Sequence, residues 1–422
     1  MAATQSGGTQ GRSGRVVWIL NHYAQVPSGP GGTRHYWLAR HLIAHQWHAL
    51  VVASSTEHNT GRLRIPLDSH RATEEIDGVP FLWLRAPAYR GNGIGRLRNM
   101  LTFAARASKI GSYDGLARPD VVIGSSVHPF SGCAGLRLAK RFDVPFIFEI
   151  RDLWPETLIA FGRVKRNGIV AGVMRVIEKQ LCRRASRIVT VLPRAEEYLR
   201  ERVGVGRDAV SYIPNGIELS CRPPGNTYFR DDADKFSFMY LGAHGQANDL
   251  WTVLGALELL EQKVGPERFV FRFIGEGPQK HQLIEAARSM GLASVQFEPS
   301  IPSAKVHAVA AQADCFVLTA RDCPELYRYG VSMNKIFDYM AAGRPTVVAL
   351  SAANNPVAEA RAGLTVEPQN PEALAQGLLD VLNMSPVRRQ KMGLRGREFV
   401  EDHHDYVTLA KSLAAVLDGV VS

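Results

Sequence analysis

A chain of 422 residues, 45% hydrophobic and 21% charged, is long enough to bury more than one core and too mixed to be fibrous or disordered. The formal charge of +10 points to an anionic partner, which leaves nucleic acid, membrane surface and phosphorylated substrate in play. Five widely spaced cysteines without a CxxC pair argue against a disulfide framework or a zinc site and fit a reducing cytoplasm, and no run of about eighteen apolar residues predicts a spanning helix.

Residues 1–14, rich in Gly, Ser, Thr and Gln, read as a disordered tail without the apolar core of a secretion signal. From Arg15–Leu20 (RVVWIL) onward, short β-branched or aromatic runs alternate with helical stretches, at 50–53, 120–124 (DVVIG), 145–150 (PFIFEI) and 187–192 (RIVTVL). Near-continuous apolar strands of this kind belong to parallel sheets covered on both faces. A second series follows at Phe236–Leu241 (FSFMYL), Phe269–Ile274 (FVFRFI), 295–297, 314–318 (DCFVL) and 346–350 (TVVAL). The expected fold class is therefore α/β, with two Rossmann-like, doubly wound domains at 15–219 and 235–400. Between them, Pro223, Pro224, Gly225 and the three aspartates of 220–234 break both periodicities and predict a linker. The closing helical stretch within 401–422 is compatible with packing on either domain. Ligands of such sheets bind beyond the carboxyl ends of the strands, so functional residues are expected in strand-to-helix loops that face a shared cleft.

The first such loop, 21–34 (NHYAQVPSGPGGTR), places Gly31 and Gly32 before a helix that begins near His35. It reads either as an ordinary turn or as backbone brought close to an anionic ligand. A dinucleotide fingerprint fails here, because Arg34 stands where the third glycine belongs. The strand at 120–124 leads to His128, a candidate for a sugar hydroxyl or for simple packing. After the strand 145–150 come Arg151, Asp152 and Glu156, readable as an ion pair of Arg151 with either acid or as a site with Asp152 as base. In the second half, Gly242 and His244 follow one strand, and Gly275, Gly277 and Lys280 follow another; glycines there free amides for a diphosphate, and Lys280 adds charge. The densest string is 328–345 (RYGVSMNKIFDYMAAGRP). A loop with Gly330, Ser332, Asn334 and Lys335 opens a short helix, and Asp338 lies about one turn in, able to accept two ribose hydroxyls. Capping by Ser332 or Asn334 explains part of that string but not all of it.

With these residues in view, the chain resembles glycosyltransferase family four, the retaining transferases of GT-B fold. The likeness rests on Gly31-Gly32, 213–217 (IPNGI), Gly275-Glu276-Gly277-Pro278 and 338–345 (DYMAAGRP). Within the family it is similar to the bacterial WbuB-like branch, through 152–155 (DLWP), 125–129 (SSVHP) and 329–345. The resemblance implies transfer, with retention, of a hexosyl or N-acetylhexosaminyl group from a nucleotide diphosphate sugar, UDP-linked, to a lipid-linked or other membrane-borne acceptor in surface polysaccharide or glycolipid synthesis. It implies Gly31, Gly32, Gly242, Gly277, Lys280, Gly330, Ser332, Asn334, Lys335 and Asp338 on the donor side, with His128, Asp152 and His244 as catalytic candidates. Two departures stand out. Gly330 occupies the position of the family's first glutamate, and Ala243, His244 and Gln246 stand where its diphosphate-binding cations are expected. No cofactor or metal is expected, since protein groups can neutralise the diphosphate and the one DxD string, at 232–234, falls in the linker.

Basic residues mixed with apolar ones at 89–109 and 161–187 read either as solvated helix faces or as a surface for an anionic membrane, with Arg163, Lys165 and Arg166 at its start. No nucleic-acid recognition motif accompanies them. The expectation is a cytoplasmic protein held peripherally on the inner face of the cell membrane. A nucleotide-sugar 2-epimerase of the same fold, and a non-catalytic nucleotide-sugar-binding protein, are the alternative readings.

Overall fold

The computed structural model describes residues 14–29, 32–57, 61–89, 91, 93–126, 128–220 and 235–422. Most of the expected tail, Gly31 and most of the expected linker lie outside the described residues.

The first sheet is built from β1 (Arg15–Leu20), β2 (Trp47–Ser54), β3 (Arg71–Ile76), β4 (Val79–Leu84), β5 (Val121–Ser125), β6 (Phe146–Ile150), β7 (Arg187–Thr190) and β8 (Val210–Tyr212). Their order across the sheet is β3-β4-β2-β1-β5-β6-β7-β8, parallel except for the β3–β4 hairpin at one edge. Alternate residues of β1 show why the run is apolar throughout: Val16, Trp18 and Leu20 enter one buried cluster, Val17 and Ile19 the other. Both faces are covered, as a parallel sheet requires.

The second sheet contains β9 (Phe236–Leu241), β10 (Phe269–Ile274), β11 (Val295–Glu298), β12 (Cys315–Thr319), β13 (Thr346–Ala349) and β14 (Gly363–Val366), ordered β11-β10-β9-β12-β13-β14 and parallel in every described pairing. Here Phe238 and Tyr240 pack on one side of β9 and Met239 on the other.

The closing helix, Tyr406–Val421, crosses back to the first sheet. Its Tyr406, Leu409, Leu413 and Leu417 join the cluster under Val17 and Ile19, beside the Arg34–Leu42 helix. The crossing is pinned where the chain changes domain. A Cβ on Gly216 would lie 2.4 Å from the His404 carbonyl, and the Asn215 carbonyl accepts from His404 Nδ1 at 2.9 Å.

Candidate active site

In the first domain, the loop after β1 is organised by buried charge. Arg34 is 1% exposed; it donates to Glu149 Oε1 at 2.9 Å, to the Ile213 carbonyl at 2.9 Å and to the Pro214 carbonyl. Asn21 Nδ2 donates to His35 Nδ1, so His35 Nε2 carries the hydrogen given to Glu149 Oε2 at 2.7 Å. Burial opposes the charge on Glu149, but His35 and Arg34 outweigh it and hold the carboxyl well below its ordinary range, while burial lowers the His35 pKa against the pull of Glu149. Arg34 thus replaces a glycine not to touch a ligand but to tie this loop to the chain crossover at 213–214.

Gly32 opens onto the facing domain. A Cβ there would lie 3.6 Å from Asn334 Nδ2 and 3.8 Å from Arg151 Nη2. The ion pair considered between Arg151 and Glu156 does not form, because Arg175 holds Glu156 at 2.9 Å. Among the described residues the Arg151 guanidinium is in no ion pair, and it stands free beside the Gly32 loop. Sequence reasoning treated Arg151 as structural; its position directly after a strand is the signal that pointed to the cleft. Asp152 is open to solvent yet surrounded by protein of both domains, and that desolvation raises its pKa against the pull of Arg151.

His128 is completely buried at the start of the Pro129–Phe142 helix and does not cap it. Asn99 donates its amide to the Pro87 carbonyl, which leaves Asn99 Oδ1 to accept from His22 Nε2 at 2.6 Å. His22 Nδ1 then accepts from His128 Nε2 at 2.8 Å, and His128 Nδ1 remains a buried lone pair without a partner among the described residues. Burial, and then the charge of Arg96, push the His128 pKa down to about 3.

In the second domain the glycines serve loop nesting. A Cβ on Gly275, at φ +149°, would sit 1.9 Å from the Gly242 carbonyl, and one on Gly277 would sit 2.4 Å from the His244 carbonyl. The nested loops are joined by His244 N to the Glu276 carbonyl at 2.9 Å. The His244 ring lies among Tyr240, Phe273 and Phe297 with neither nitrogen partnered, and burial followed by the Lys280 charge lowers its pKa to about 4. Lys280 is spent on the same loops, donating to the carbonyls of Gly275 and Glu298 and to Glu276 Oε1 at 2.7–2.9 Å.

Lys335 reaches the loop after β9, where residues 242–249 carry no Lys or Arg of their own. Its Cε lies 3.3 Å from where a Gly242 Cβ would be, and its Nζ donates to Tyr240 Oη at 3.0 Å and to Asn248 Oδ1, in the loop after β9. Burial lowers its pKa to about 7. It belongs to the Asn334–Ala341 helix, which no side chain caps. Ser332 instead binds the other domain, accepting from Asn215 N at 3.1 Å and from Asn215 Nδ2 at 2.9 Å through its carbonyl. Asp338 is half-buried one turn further on. Gly330, at φ +100°, abuts the first domain: its Cβ would fall 2.4 Å from Pro193 Cδ.

A cavity of about 620 Å³ adjoins these loops, walled by Leu97, Met100, Phe130 and Trp154 of the first domain and by Ala247 and Pro278 of the second. Arg163 lines it, and Arg166 pairs with Glu325 of the second domain, so both are turned to the cleft and not only to a surface; Lys165 is exposed.

Two facing Rossmann-like domains with an uncapped helix end at their junction define the GT-B architecture. Residues 29–216 match the glycosyl transferase 4-like domain, and residues 235–384 match the glycosyl transferases group 1. The two matches, one per domain, together span most of the chain and mark it as a glycosyltransferase of GT-B fold. It is 23% identical to the glycosyltransferase WbjE of Pseudomonas aeruginosa over 298 residues, 67% of this chain and 70% of that protein. With the colanic acid biosynthesis glycosyl transferase WcaI of Escherichia coli it shares 25% over 328 residues, 72% and 77% of the two chains. Among solved structures, sucrose-phosphate synthase of Thermosynechococcus elongatus superposes with a TM-score of 0.74 at 18% identity, covering 96% of this chain and 98% of that one. HepE of Anabaena in complex with UDP gives 0.65 at 14% identity, covering 96% and 100%.

Proposed function

We propose that this glycosyltransferase is a retaining enzyme of the WbuB-like branch, moving a hexosyl or N-acetylhexosaminyl group from a UDP-sugar to a lipid-linked acceptor in surface polysaccharide or glycolipid synthesis. The observation that carries the donor half is the uncapped Asn334–Ala341 helix end, set against Gly32 and the free Arg151 and backed by Lys335. Helix amides and two cations meet the charge that develops on a departing diphosphate, and such preorganised groups stabilise the transition state more than the ground state. Asp338 receives ribose hydroxyls. Arg151 and Lys335 take the role a metal plays elsewhere, so transfer proceeds without one. UDP in HepE and the polysaccharide role of WcaI support the choice of donor and pathway.

On the acceptor side, Asp152 with its raised pKa accepts the proton of the incoming hydroxyl, while His128, fully buried, props the loop through His22 and does not reach the sugar. His244, enclosed by aromatic rings, shapes the diphosphate loop. The apolar cavity beside the donor loops receives the first part of the acceptor's hydrocarbon, and the basic helices of the first domain bring the protein to the inner membrane face. No helix among the described residues is long and apolar enough to cross a membrane.

The test is incubation of purified protein with a panel of UDP-sugars and membrane lipid extract, with and without EDTA, reading released UDP and product mass. Release of UDP with an α-linked, lipid-extractable product in EDTA supports the reading. Free epimerised nucleotide sugar, or no release with any donor, overturns it.

A further inference from the structure

Away from the cleft, a second groove of about 970 Å³ runs over the outer end of the Pro129–Phe142 helix. Its floor is apolar, with Leu136, Ile177 and Leu181. Around it stand Lys109, Arg137, Lys140 and Arg141, all exposed. No carboxylate lines the groove, and none of these four cations has an ion-pair partner among the described residues. Like charges gathered around apolar surface complement a ligand that is anionic at one end and apolar at the other.

One wall of the groove continues into a ridge. On the Ile169–Arg184 helix, Ile169, Val170, Val173 and Val176 fall within about a third of the circumference at 3.6 residues per turn. They are 88%, 53%, 53% and 61% exposed, and Val176 also lines the groove. Lys179 and Arg183 flank the ridge on its other side. An apolar stripe of β-branched side chains bordered by cations suits the boundary between lipid headgroups and acyl chains.

We propose that this groove binds one molecule of anionic phospholipid, its phosphate among Lys109, Arg137, Lys140 and Arg141 and an acyl chain along Leu136, Ile177 and Leu181, which seats the ridge in the bilayer. The site is separate from the donor cleft and stands whether or not the acceptor is a lipid. Because the same Pro129–Phe142 helix carries Phe130 into the cleft cavity, a lipid in the groove also fixes which end of the cleft faces the membrane.

The test uses the full chain with dioctanoyl phosphatidylglycerol below its critical micelle concentration, dioctanoyl phosphatidylcholine and inorganic phosphate as probes, and flotation with phosphatidylglycerol and phosphatidylcholine vesicles. Arg137→Glu with Lys140→Glu is expected to lower phosphatidylglycerol binding at least tenfold. Val170→Asp with Val173→Asp, neither of which lines the groove, is expected to abolish flotation while sparing binding of the soluble lipid. UDP binding, read in parallel, stays unchanged in both variants and shows that fold and cleft are intact. Equal binding of the two lipids, binding of phosphate as tight as that of phosphatidylglycerol, or flotation insensitive to both variants overturns the proposal. Loss of UDP release in the unaltered protein would instead sink the transferase mechanism and leave this site standing.

Discussion

The proposed donor site makes its sharpest prediction at Lys335. A half-buried lysine with a pKa near 7 is only part-charged at neutral pH, and a diphosphate arriving beside it favours the charged form. Donor binding then takes up a proton above pH 7. The expected result is that the Kd for a UDP-sugar rises with pH between 7 and 9, approaching about tenfold per unit, while Lys335→Met binds more weakly at pH 6.5 and shows a flat profile. Calorimetric titration across that range checks it; a flat profile in the unaltered protein removes Lys335 from the diphosphate. The same lowered pKa means that the unfolded chain holds an extra proton between pH 7 and its ordinary pKa, so this lysine makes stability rise with pH through that window. Arg151 is the second cation of the proposed donor site. Arg151→Ala should weaken donor binding by about 1.5–3 kcal/mol, the worth of a hydrogen bond to a charged group, with Arg151→Lys recovering part; an unchanged donor KM would return Arg151 to a structural role. Asp152→Asn should lower kcat about a hundredfold with little change in donor KM if it takes the acceptor proton.

At the scale of elements, the apolar runs located the strands because buried parallel strands have no solvent face to interrupt them. The structure adds β3, β4, β8 and β14, and each was illegible for a reason. β3 (RATEEI) is a polar, largely exposed hairpin edge, β4 carries Pro80 opposite Glu75, and β8 and β14 are three and four residues long. Site residues divide in the same way. Glycines after strands marked the loops, but whether a glycine faces a ligand or another loop is a tertiary matter, and Gly275 and Gly277 proved to be where two loops interlock. Lys280 and Lys335 were equivalent on sequence; only packing shows the first consumed by carbonyls and the second set against Gly242. The closing helix had two possible hosts, and its pairing with the Arg34–Leu42 helix decides between them. Leu413→Ala should therefore cost about 2–5 kcal/mol, as truncation of a buried leucine does, and the loss should fall on the first domain. Hydrogen exchange is the measurement: amides of 34–42 lose protection while β9–β13 keep theirs. Equal loss in both sheets would show that the helix braces the whole molecule.

Across the whole molecule, the cleft is set by three kinds of contact between the domains. Exposed ion pairs join Arg328 to Glu201 and Arg166 to Glu325. Backbone and amide bonds join Arg194 N to the Tyr329 carbonyl and Asn215 to Ser332. Gly330 rests on Pro193 with no room for a side chain. This last contact explains the absent acid: at φ +100° and against Pro193, a glutamate cannot occupy position 330 while the domains stay in this arrangement. The ion pairs are open to water and screened by salt, so they hold the domains weakly. Hydrogen bonds shielded between domains, and a contact that a single methyl would wedge apart, hold them more firmly. Glu201→Gln with Glu325→Gln should therefore leave the radius of gyration and the donor KM nearly unchanged, even in high salt. Gly330→Ala should widen the cleft, because the added Cβ must displace Pro193, and separating Gly32 and Arg151 from Asn334 should raise the donor KM. Small-angle scattering of the two variants without donor, paired with donor kinetics, distinguishes the contributions. If the charge variant opens the molecule and the alanine does not, the domains are held by electrostatics at the rim, and the glycine at 330 has another cause.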